Sequence, residues 1–144
     1  MTGIEFHFNA PSRLDYACRL LRKAALRGAR VAVTGAPATL QELDTALWTF
    51  SATDFVPHCS ASAPAEVLAL TPVVLCEQPT RSPHHAVLLN LGEGVPEGFE
   101  RFERLIEVVT LDEDDRLRAR ERWKHYKARG YALERKDLEL KEGR

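Results

Sequence analysis

The sequence predicts an α/β fold: a largely parallel sheet, with a mixed sheet as the alternative, covered by helices on both faces. Short apolar runs typical of buried strands alternate along the chain with segments whose apolar residues recur at helical spacing. The chain has 144 residues, of which 44% are hydrophobic and 28% are charged. This length and composition fit one domain with its own core and exclude a disordered chain. No linker or internal repeat is visible, so we expect residues 1–144 to form a single domain.

The first half of the chain begins with a predicted strand over residues 4–8, where apolar and polar residues alternate. Ser12, with Asp15 three residues later, resembles a capping box and predicts the start of a helix that Gly28 ends. The inward stripe of this helix is Leu14, Ala17, Cys18, Leu21 and Ala25. A second strand is predicted over residues 30–35.

A second helix is predicted to begin at the capping box formed by Thr39 and Glu42. Its inward stripe is Leu40, Leu43, Ala46 and Leu47. Residues 54–58 are expected to be extended, because a residue that precedes proline is pushed out of the helical region. The Ser-, Ala- and Pro-rich residues 59–71 predict a loop.

Three further strands are predicted in the second half, over residues 72–76, 86–89 and 105–109. The first two are apolar throughout, as in central strands buried on both faces. A polar turn over residues 79–83 separates them.

Two helices complete the pattern. Pro96 is expected to open a short helix that turns Phe99 and Phe102 inward. A long helix is predicted from about residue 112 to residue 129, ended by Gly130. The charged residues 131–144 predict an extended or frayed tail.

This alternation suggests a Rossmann-like arrangement, but the phosphate-binding loop of nucleotide-binding members is missing. That loop uses glycines between the first strand and helix, so that backbone N–H groups can approach phosphate. Residues 9–12 read Asn-Ala-Pro-Ser, and the second turn has only Gly35. Neither G-x-S-x-G nor a P-loop motif occurs. We therefore predict no nucleotide cofactor and no catalytic residue.

Cysteine usage and hydropathy indicate a cytoplasmic protein. Cys18, Cys59 and Cys76 are odd in number and far apart, with no C-x-x-C pair, which predicts free thiols in a reducing compartment. No apolar run approaches the roughly 20 residues of a membrane span. The N-terminus lacks the basic start and apolar stretch of a signal peptide, so no membrane contact is expected.

Histidines and cysteines do not have the spacing of a zinc site. The pairs His58–Cys59 and His84–His85 have no further His or Cys close by in sequence. We predict that His58 is a turn residue, that His84 and His85 face solvent from a loop, and that no metal is bound. Cys18 and Cys76 are expected in the core.

The strongest functional signal is a block of basic residues in the last helix. Residues 116–129 carry seven Lys or Arg side chains against one acid, Glu121, for a net formal charge of +6. The preceding acids, residues 112–115, complement the positive end of the helix dipole. Four cations recur at helical spacing and form one stripe: Arg116, Arg120, Lys124 and Lys127. Like charges at this spacing repel, so we expect the stripe to bind an anionic partner.

Trp123, beside the stripe, either caps the core or forms the wall of an apolar pocket at its edge. Two partner classes fit an aromatic next to arginines. Single-stranded nucleic acid would place phosphates on the cations and stack bases on the ring. An acidic peptide would place carboxylates on the arginines and an apolar anchor in the pocket. Composition leaves both open.

Several segments together resemble the chi subunit family of bacterial DNA polymerase III holoenzyme. They are residues 43–48 (LDTALW), 54–58 (DFVPH), 119–127 (ARERWKHYK) and 130–131 (GY). Their order, their spacing and the chain length agree with that family. The resemblance implies an α/β fold without nucleotide, no catalytic activity, and an accessory role in the clamp-loader assembly.

The resemblance also implies partners and site residues. The family binds the acidic C-terminal tail of single-stranded-DNA-binding protein and, where it is present, the psi subunit, so that DNA is contacted mainly indirectly. Arg120 would hold the terminal carboxylate of the tail. Trp123, which stands where many relatives have Tyr, would line the pocket for the terminal Phe together with Phe55. Arg116 and Lys124 would meet the aspartates of the tail. The alternative is direct single-stranded-DNA binding by the same basic helix face.

Overall fold

The computed structural model describes residues 1–50 and 55–138, which form one seven-stranded, wholly parallel sheet. The strands are β1 (Gly3–Ala10), β2 (Val31–Thr34), β3 (His58–Ser60), β4 (Val73–Leu75), β5 (Val87–Asn90), β6 (Arg104–Thr110) and β7 (Leu133–Asp137). Their order across the sheet is β3-β4-β2-β5-β6-β1-β7. The predicted parallel sheet is confirmed, and β3 and β7 form its two edges.

Helices cover both faces of the sheet, as predicted. They are α1 (Arg13–Leu26), α2 (Pro37–Thr49), α3 (Ala65–Leu70) and α4 (Glu113–Ala128), with 3-10 turns at Pro79–Arg81 and Phe99–Arg101. Helices α1 and α2 pack with Val31 and Val33 of β2 on one face, whereas α4 packs on the face of Ala32. Because successive residues of a strand point to opposite faces, one buried strand feeds two separate cores.

The start of α2 differs from the prediction. The helix begins at Pro37, and its N-cap residue, Ala36, forms no side-chain capping hydrogen bond. Thr39 therefore lies within the first turn and does not cap the helix. Proline is favoured at the first helical position, where its missing N–H would have no helical partner. In α1 the predicted cap is confirmed, since Ser12 Oγ accepts from the Asp15 backbone N–H at 3.2 Å.

The prediction that residues 59–71 form a loop is wrong. The three residues of β3 pair with β4, and α3 follows within the same segment. Both elements are short, and α3 has no buried side chain, so neither carries a periodic apolar signal. Hydrogen bonds to the neighbouring strand β4 are what make residues 58–60 a strand.

The predicted extended tail is a strand over part of its length. Strand β7 pairs with β1, and Leu138 after it is buried. Residues 139–144 of that tail, and residue 54 of the predicted extended piece, lie outside the described residues. The short helix predicted after Pro96 is a single 3-10 turn, and it buries Phe99 and Phe102 as expected.

The turn between β1 and α1 contains no glycine. Asn9, within β1 just before this turn, takes the left-handed conformation, with φ of 68°, which asparagine tolerates better than most residues, and the pairing with β6 is irregular between His7 and Ala10. Its side-chain Nδ2 donates to Asp137 Oδ1 at 2.9 Å. The carboxyl end of β1 is thus joined to β7 by a side-chain hydrogen bond as well.

None of the helices within residues 1–50 and 55–138 combines the length and the apolar character that crossing a membrane requires.

We expect Ser12→Ala to lower the free energy of unfolding by about 1 kcal/mol, because it removes the side-chain acceptor of the first turn of α1. Thr39→Ala is the matched control, and we expect a change within about 0.5 kcal/mol because Thr39 caps no helix. Urea unfolding of both variants beside the unaltered chain measures the two costs. Equal costs would contradict a start of α2 at Pro37.

Candidate functional site

A groove of about 330 Å³ runs between α4 and the β7 edge of the sheet. It is lined by Phe6, Phe8, Val109, Arg116, Ala119, Arg120, Trp123 and Arg135. Three of these side chains are guanidinium groups, the rest are apolar, and none is acidic. Its volume is at the lower end of the range for ligand pockets. The groove therefore suits a small anionic group with an apolar attachment.

Strand alternation builds the floor of the groove. Phe6 and Phe8 are two residues apart on β1 and point to the α4 face, and Val109 of β6 is buried on the same face. Arg135 of β7 is in register with Phe6, which places it beside this floor. Its guanidinium carbon lies 4.8 Å from the centroid of the Phe8 ring, in cation–π contact.

Trp123 fulfils both of the alternatives left open by the sequence. Its ring contacts Phe6 edge-on at a centroid distance of 5.1 Å, which joins it to the core on this side of the sheet. The ring is only partly buried and also forms a wall of the groove. Contact with Phe6 holds the indole in place and leaves part of its surface for a ligand.

The two arginines predicted to bind a partner, Arg116 and Arg120, lie on the α4 wall of the groove. They are one helical turn apart, and Arg120 is exposed. Among residues 1–50 and 55–138, neither forms an ion pair. Two guanidinium groups without a carboxylate partner face the same apolar hollow, which makes them available to an anion.

Lys124 is placed near the groove and not in its lining. Its side chain is exposed, and Nζ lies 3.6 Å from Glu121 Oε1, an ion pair three residues apart on α4. Such exposed pairs are weak and break easily, so Lys124 remains able to meet a ligand at the rim.

Phe55 is not brought to the groove, which corrects the expectation that it lines a pocket with Trp123. Its ring packs against Trp48 of α2, at a centroid distance of 4.9 Å, and against His58 of β3. Strand β3 is the edge of the sheet opposite to β7. With strands about 4.8 Å apart, β1 and β3 are separated by roughly 24 Å. The family resemblance rests on the order of the segments that contain Phe55 and Trp123 along the chain, and this order does not reveal how far apart they lie in the folded protein.

Arg122 is the cation whose role the sequence did not reveal. It is 3% exposed, and its Nε donates to Oε1 of Glu107, a carboxylate on β6 that is 0% exposed. Tyr126 donates to Oε2 of the same carboxylate at 2.6 Å, and Asn90 donates to Oε1 at 2.9 Å. Burial raises the pKa of Glu107 above its ordinary value. A signal was present, because Glu107 is the one charged residue within the otherwise apolar residues 105–109.

Asp115 fixes the start of α4 to the rest of the fold. Its carboxylate accepts from the backbone N–H of Thr110 at 2.8 Å and from its hydroxyl at 2.9 Å, and it pairs with Arg13 at 2.6 Å. Burial alone would raise its pKa, but these partners outweigh burial and lower it. Asp112 is the N-cap, accepting from the Asp115 N–H at 3.0 Å. The acids thus do more than complement the helix dipole.

A second exposed feature is the aromatic patch formed by Trp48 and Phe55 at the β3 edge. Trp48 is 61% exposed and Phe55 is 53% exposed, although their rings touch. The His58 ring packs against both of these rings. Its Nδ1 donates to the Val56 carbonyl at 2.7 Å, and its Nε2 lies 3.1 Å from Asp44 Oδ1. His58 is therefore a strand residue with a buried side chain, and its prediction as a turn residue is wrong.

His84 also differs from its prediction as a solvent-facing residue. It is buried, and its Nε2 donates to the carbonyl of Thr71 at 2.7 Å, whereas His85 is exposed as expected. Cys18 and Cys76 are buried in the core as predicted, and burial raises the pKa of each thiol to about 11. Within the described part of the chain, no three His, Cys, Asp or Glu side chains are arranged to hold a metal ion.

A larger hollow, of about 600 Å³, lies at the carboxyl ends of β3 and β4 beside α2. Parallel sheets commonly bind ligands at such ends. Its lining includes the acids Asp44 and Glu77, and it has no glycine-rich turn. The groove beside α4 differs from it in concentrating one sign of charge around an apolar floor.

Comparison with known proteins finds similarity to one family along nearly the whole chain. The family described as DNA polymerase III chi subunit, HolC, matches residues 1–134. A DNA polymerase III subunit chi from Pseudomonas aeruginosa is 33% identical over 139 residues, covering 93% of this chain and 95% of that protein. A protein of the same description from Haemophilus influenzae is 26% identical over 121 residues, covering 83% of each chain.

We expect Asp115→Asn to lower the free energy of unfolding at neutral pH by roughly 1–3 kcal/mol, because it weakens the bonds from Thr110 and leaves Arg13 without its partner. The pKa of Asp115 is lowered in the folded state, so its contribution is fully present above the ordinary value of 3.8 and is lost as pH falls through the lowered value. Chemical denaturation over a descending pH series measures this difference.

The control for this pH series is Asp114→Asn, an exposed acid of the same helical turn, for which little change is expected. A cost of Asp115→Asn that stays constant as the solution becomes strongly acidic would contradict the assignment.

Proposed function

Because this chain belongs to the DNA polymerase III chi subunit family, whose members are accessory and not catalytic subunits, we propose that it binds the acidic C-terminal tail of single-stranded-DNA-binding protein in the groove beside α4. By this contact it links the clamp-loader assembly to protein-coated single-stranded DNA. The observation that carries the proposal is the convergence of three guanidinium groups, without a carboxylate, on one apolar groove. Such a role belongs to the bacterial cytoplasm.

The chemistry of the groove matches the end of an acidic tail that terminates in Phe. Arg120 holds the terminal carboxylate, a charge-assisted contact of about 1.5–3 kcal/mol net. The Phe ring enters between Trp123 and the floor formed by Phe6 and Phe8, and burying it contributes roughly 1.5–3 kcal/mol. Aromatic rings pack edge-on or offset in such a site.

Upstream aspartates of the tail contribute less. Arg116 at the groove and Lys124 at its rim meet them as exposed ion pairs, worth about 0–1 kcal/mol each. After the entropic cost of ordering the tail is subtracted, we expect a dissociation constant in the micromolar range, which corresponds to a binding free energy near −8 kcal/mol. Salt weakens binding, because rim charges are screened over about 10 Å at 0.1 M.

Direct binding of single-stranded DNA by α4 has less support than tail binding. Arg122 is buried in its pair with Glu107, and Arg118 lies 3.8 Å from Glu93 and 3.9 Å from Asp115. These two arginines, among the seven cations of residues 116–129, thus already have acidic partners, which lowers the positive charge that α4 can offer to phosphates. Three aromatic rings line the groove, but Phe6 is buried, Phe8 lies beneath Arg135 and Trp123 is partly covered, so their faces are poorly placed to stack successive bases.

The Trp48–Phe55 patch supports a second protein contact, and we assign it to the psi subunit in bacteria that have one. Two large apolar rings exposed side by side are typical of interaction surfaces, where aromatic residues are enriched. The patch and the groove lie at opposite edges of the sheet, so both partners can bind at once. An accessory subunit with two separate contacts can act as a linker.

We expect Arg120→Ala to abolish measurable binding of a synthetic acidic peptide with a C-terminal Phe, while thermal unfolding remains unchanged. Calorimetric titration measures the affinity. The same peptide amidated at its C-terminus should bind the unaltered chain at least tenfold more weakly, because the contact with Arg120 is lost. Lys127→Ala, in the predicted stripe but outside the groove lining, is the control and should retain affinity within about twofold.

Equal affinity of the free and amidated peptides would contradict the carboxylate contact. Tight binding of a bare oligonucleotide that Arg120→Ala abolishes, with no binding of the peptide, would favour the nucleic-acid function instead.

We expect Trp48→Ala to weaken binding of the psi subunit from the same bacterium at least tenfold, since it removes a large exposed ring from the patch. The same variant should bind the acidic peptide normally, and Arg120→Ala should bind psi normally. Pull-down with purified psi, followed by titration, separates the two contacts. Loss of peptide binding in Trp48→Ala would contradict two independent sites.

A further inference from the structure

We propose that Arg135 is the third arginine of the groove to bind the ligand, and that it selects tails that carry an acidic side chain upstream of the terminal Phe. This inference rests on the proposed function, and it names a residue that lies outside the basic block of α4 and outside the segments that carry the family resemblance. The matched part of the family ends at residue 134, one position before Arg135. The cation is therefore not carried over from the family's motifs.

The position of Arg135 follows from the register of the edge strand. Arg135 pairs with Phe6 of β1, and alternation along β7 places it on the α4 face, while Lys136 is on the opposite face. It lines the groove, whereas Lys136 lines a different hollow beside α1. Arg116 and Arg120 are on the helix wall, so a ligand in the groove has guanidinium groups on two sides.

The contact with Phe8 orients Arg135 and leaves its charge uncompensated. The ring face attracts the guanidinium and holds it over the floor, but it carries no full negative charge. No carboxylate from the part of the chain that the structure describes belongs to the lining of the groove. Asp137, the acid on the same face of β7, accepts a hydrogen bond from Asn9. Arg135 thus keeps donors for a carboxylate that arrives with a ligand.

The two walls call for two separate carboxylates in one ligand. A single terminal carboxylate held by Arg120 leaves the cation of β7 unmatched across the groove. An acidic side chain upstream of the terminal residue supplies the second negative charge. A neutral polar side chain there would leave Arg135 unpaired, and complementary charge at such a position provides specificity.

The test is a double-mutant cycle by calorimetric titration on the full chain. The peptides are an acidic peptide ending in Phe, with aspartates upstream, and the same peptide with those aspartates replaced by asparagine. The chain variants are Arg135→Gln, Lys136→Gln and Arg120→Ala. Lys136→Gln is the matched control, because it removes one positive charge from the adjacent position of the same strand on the other face. Thermal unfolding shows that each variant is folded.

We expect Arg135→Gln to lower the affinity for the aspartate peptide roughly fivefold, which is the upper end of the effect of losing an exposed ion pair. The affinity for the asparagine peptide should change by no more than about twofold, so that the substitution in the chain and the substitution in the peptide are energetically coupled. Lys136→Gln should bind both peptides normally, and Arg120→Ala should bind neither.

Two outcomes overturn the inference, and they are distinguishable. If Arg135→Gln binds both peptides normally, or loses the same affinity for both, then Arg135 does not select acidic tails. In that case the loss of binding in Arg120→Ala still supports tail binding in the groove. Normal binding by Arg120→Ala overturns the proposed function and, with it, the inference.

Discussion

The pairing of Glu107 with Arg122 and Tyr126 determines how α4 sits on the sheet. Glu107 is fully buried on β6, and both of its carboxylate oxygens are bound by side chains of α4 or β5. A buried charge without such partners costs several kcal/mol, so rotation of the helix about its axis is opposed. With Arg122 and Tyr126 turned inward, Arg116, Arg120 and Trp123 are brought to the β7 side. The candidate site is thus a consequence of one buried carboxylate.

This arrangement divides the basic residues of α4 into groups with different tasks. Arg122 pairs with Glu107 beneath the helix and Arg118 lies near Glu93 and Asp115, whereas Arg116 and Arg120 at the groove have no acidic partner within residues 1–50 and 55–138. The net charge of the segment therefore overstates the charge offered to a partner. Concentration of the free cations around an apolar floor favours a short anionic ligand with an aromatic anchor over a long polyanion.

Most strands and helices could be predicted because their signals are local. Alternation in β1, the apolar runs of β4 and β5, and the Ser12 cap of α1 act over a few neighbouring residues. The errors have a common cause. β3 is a strand because β4 pairs with it, and His84 is buried because Thr71 offers it an acceptor. Contacts between distant parts of the chain outweigh weak local preference in these places.

The sequence by itself determined the α/β class, the absence of a glycine-rich phosphate loop, and the placement of Arg116, Arg120 and Trp123 on neighbouring turns of one helix. Only the tertiary structure decided which residues join them. Strand order carries Phe55 to the opposite edge of the sheet and brings Phe6, Phe8 and Arg135 to the groove from distant points in the chain. Spacing along a chain fixes which residues share a face of one element, whereas the order of strands in a sheet fixes which elements meet.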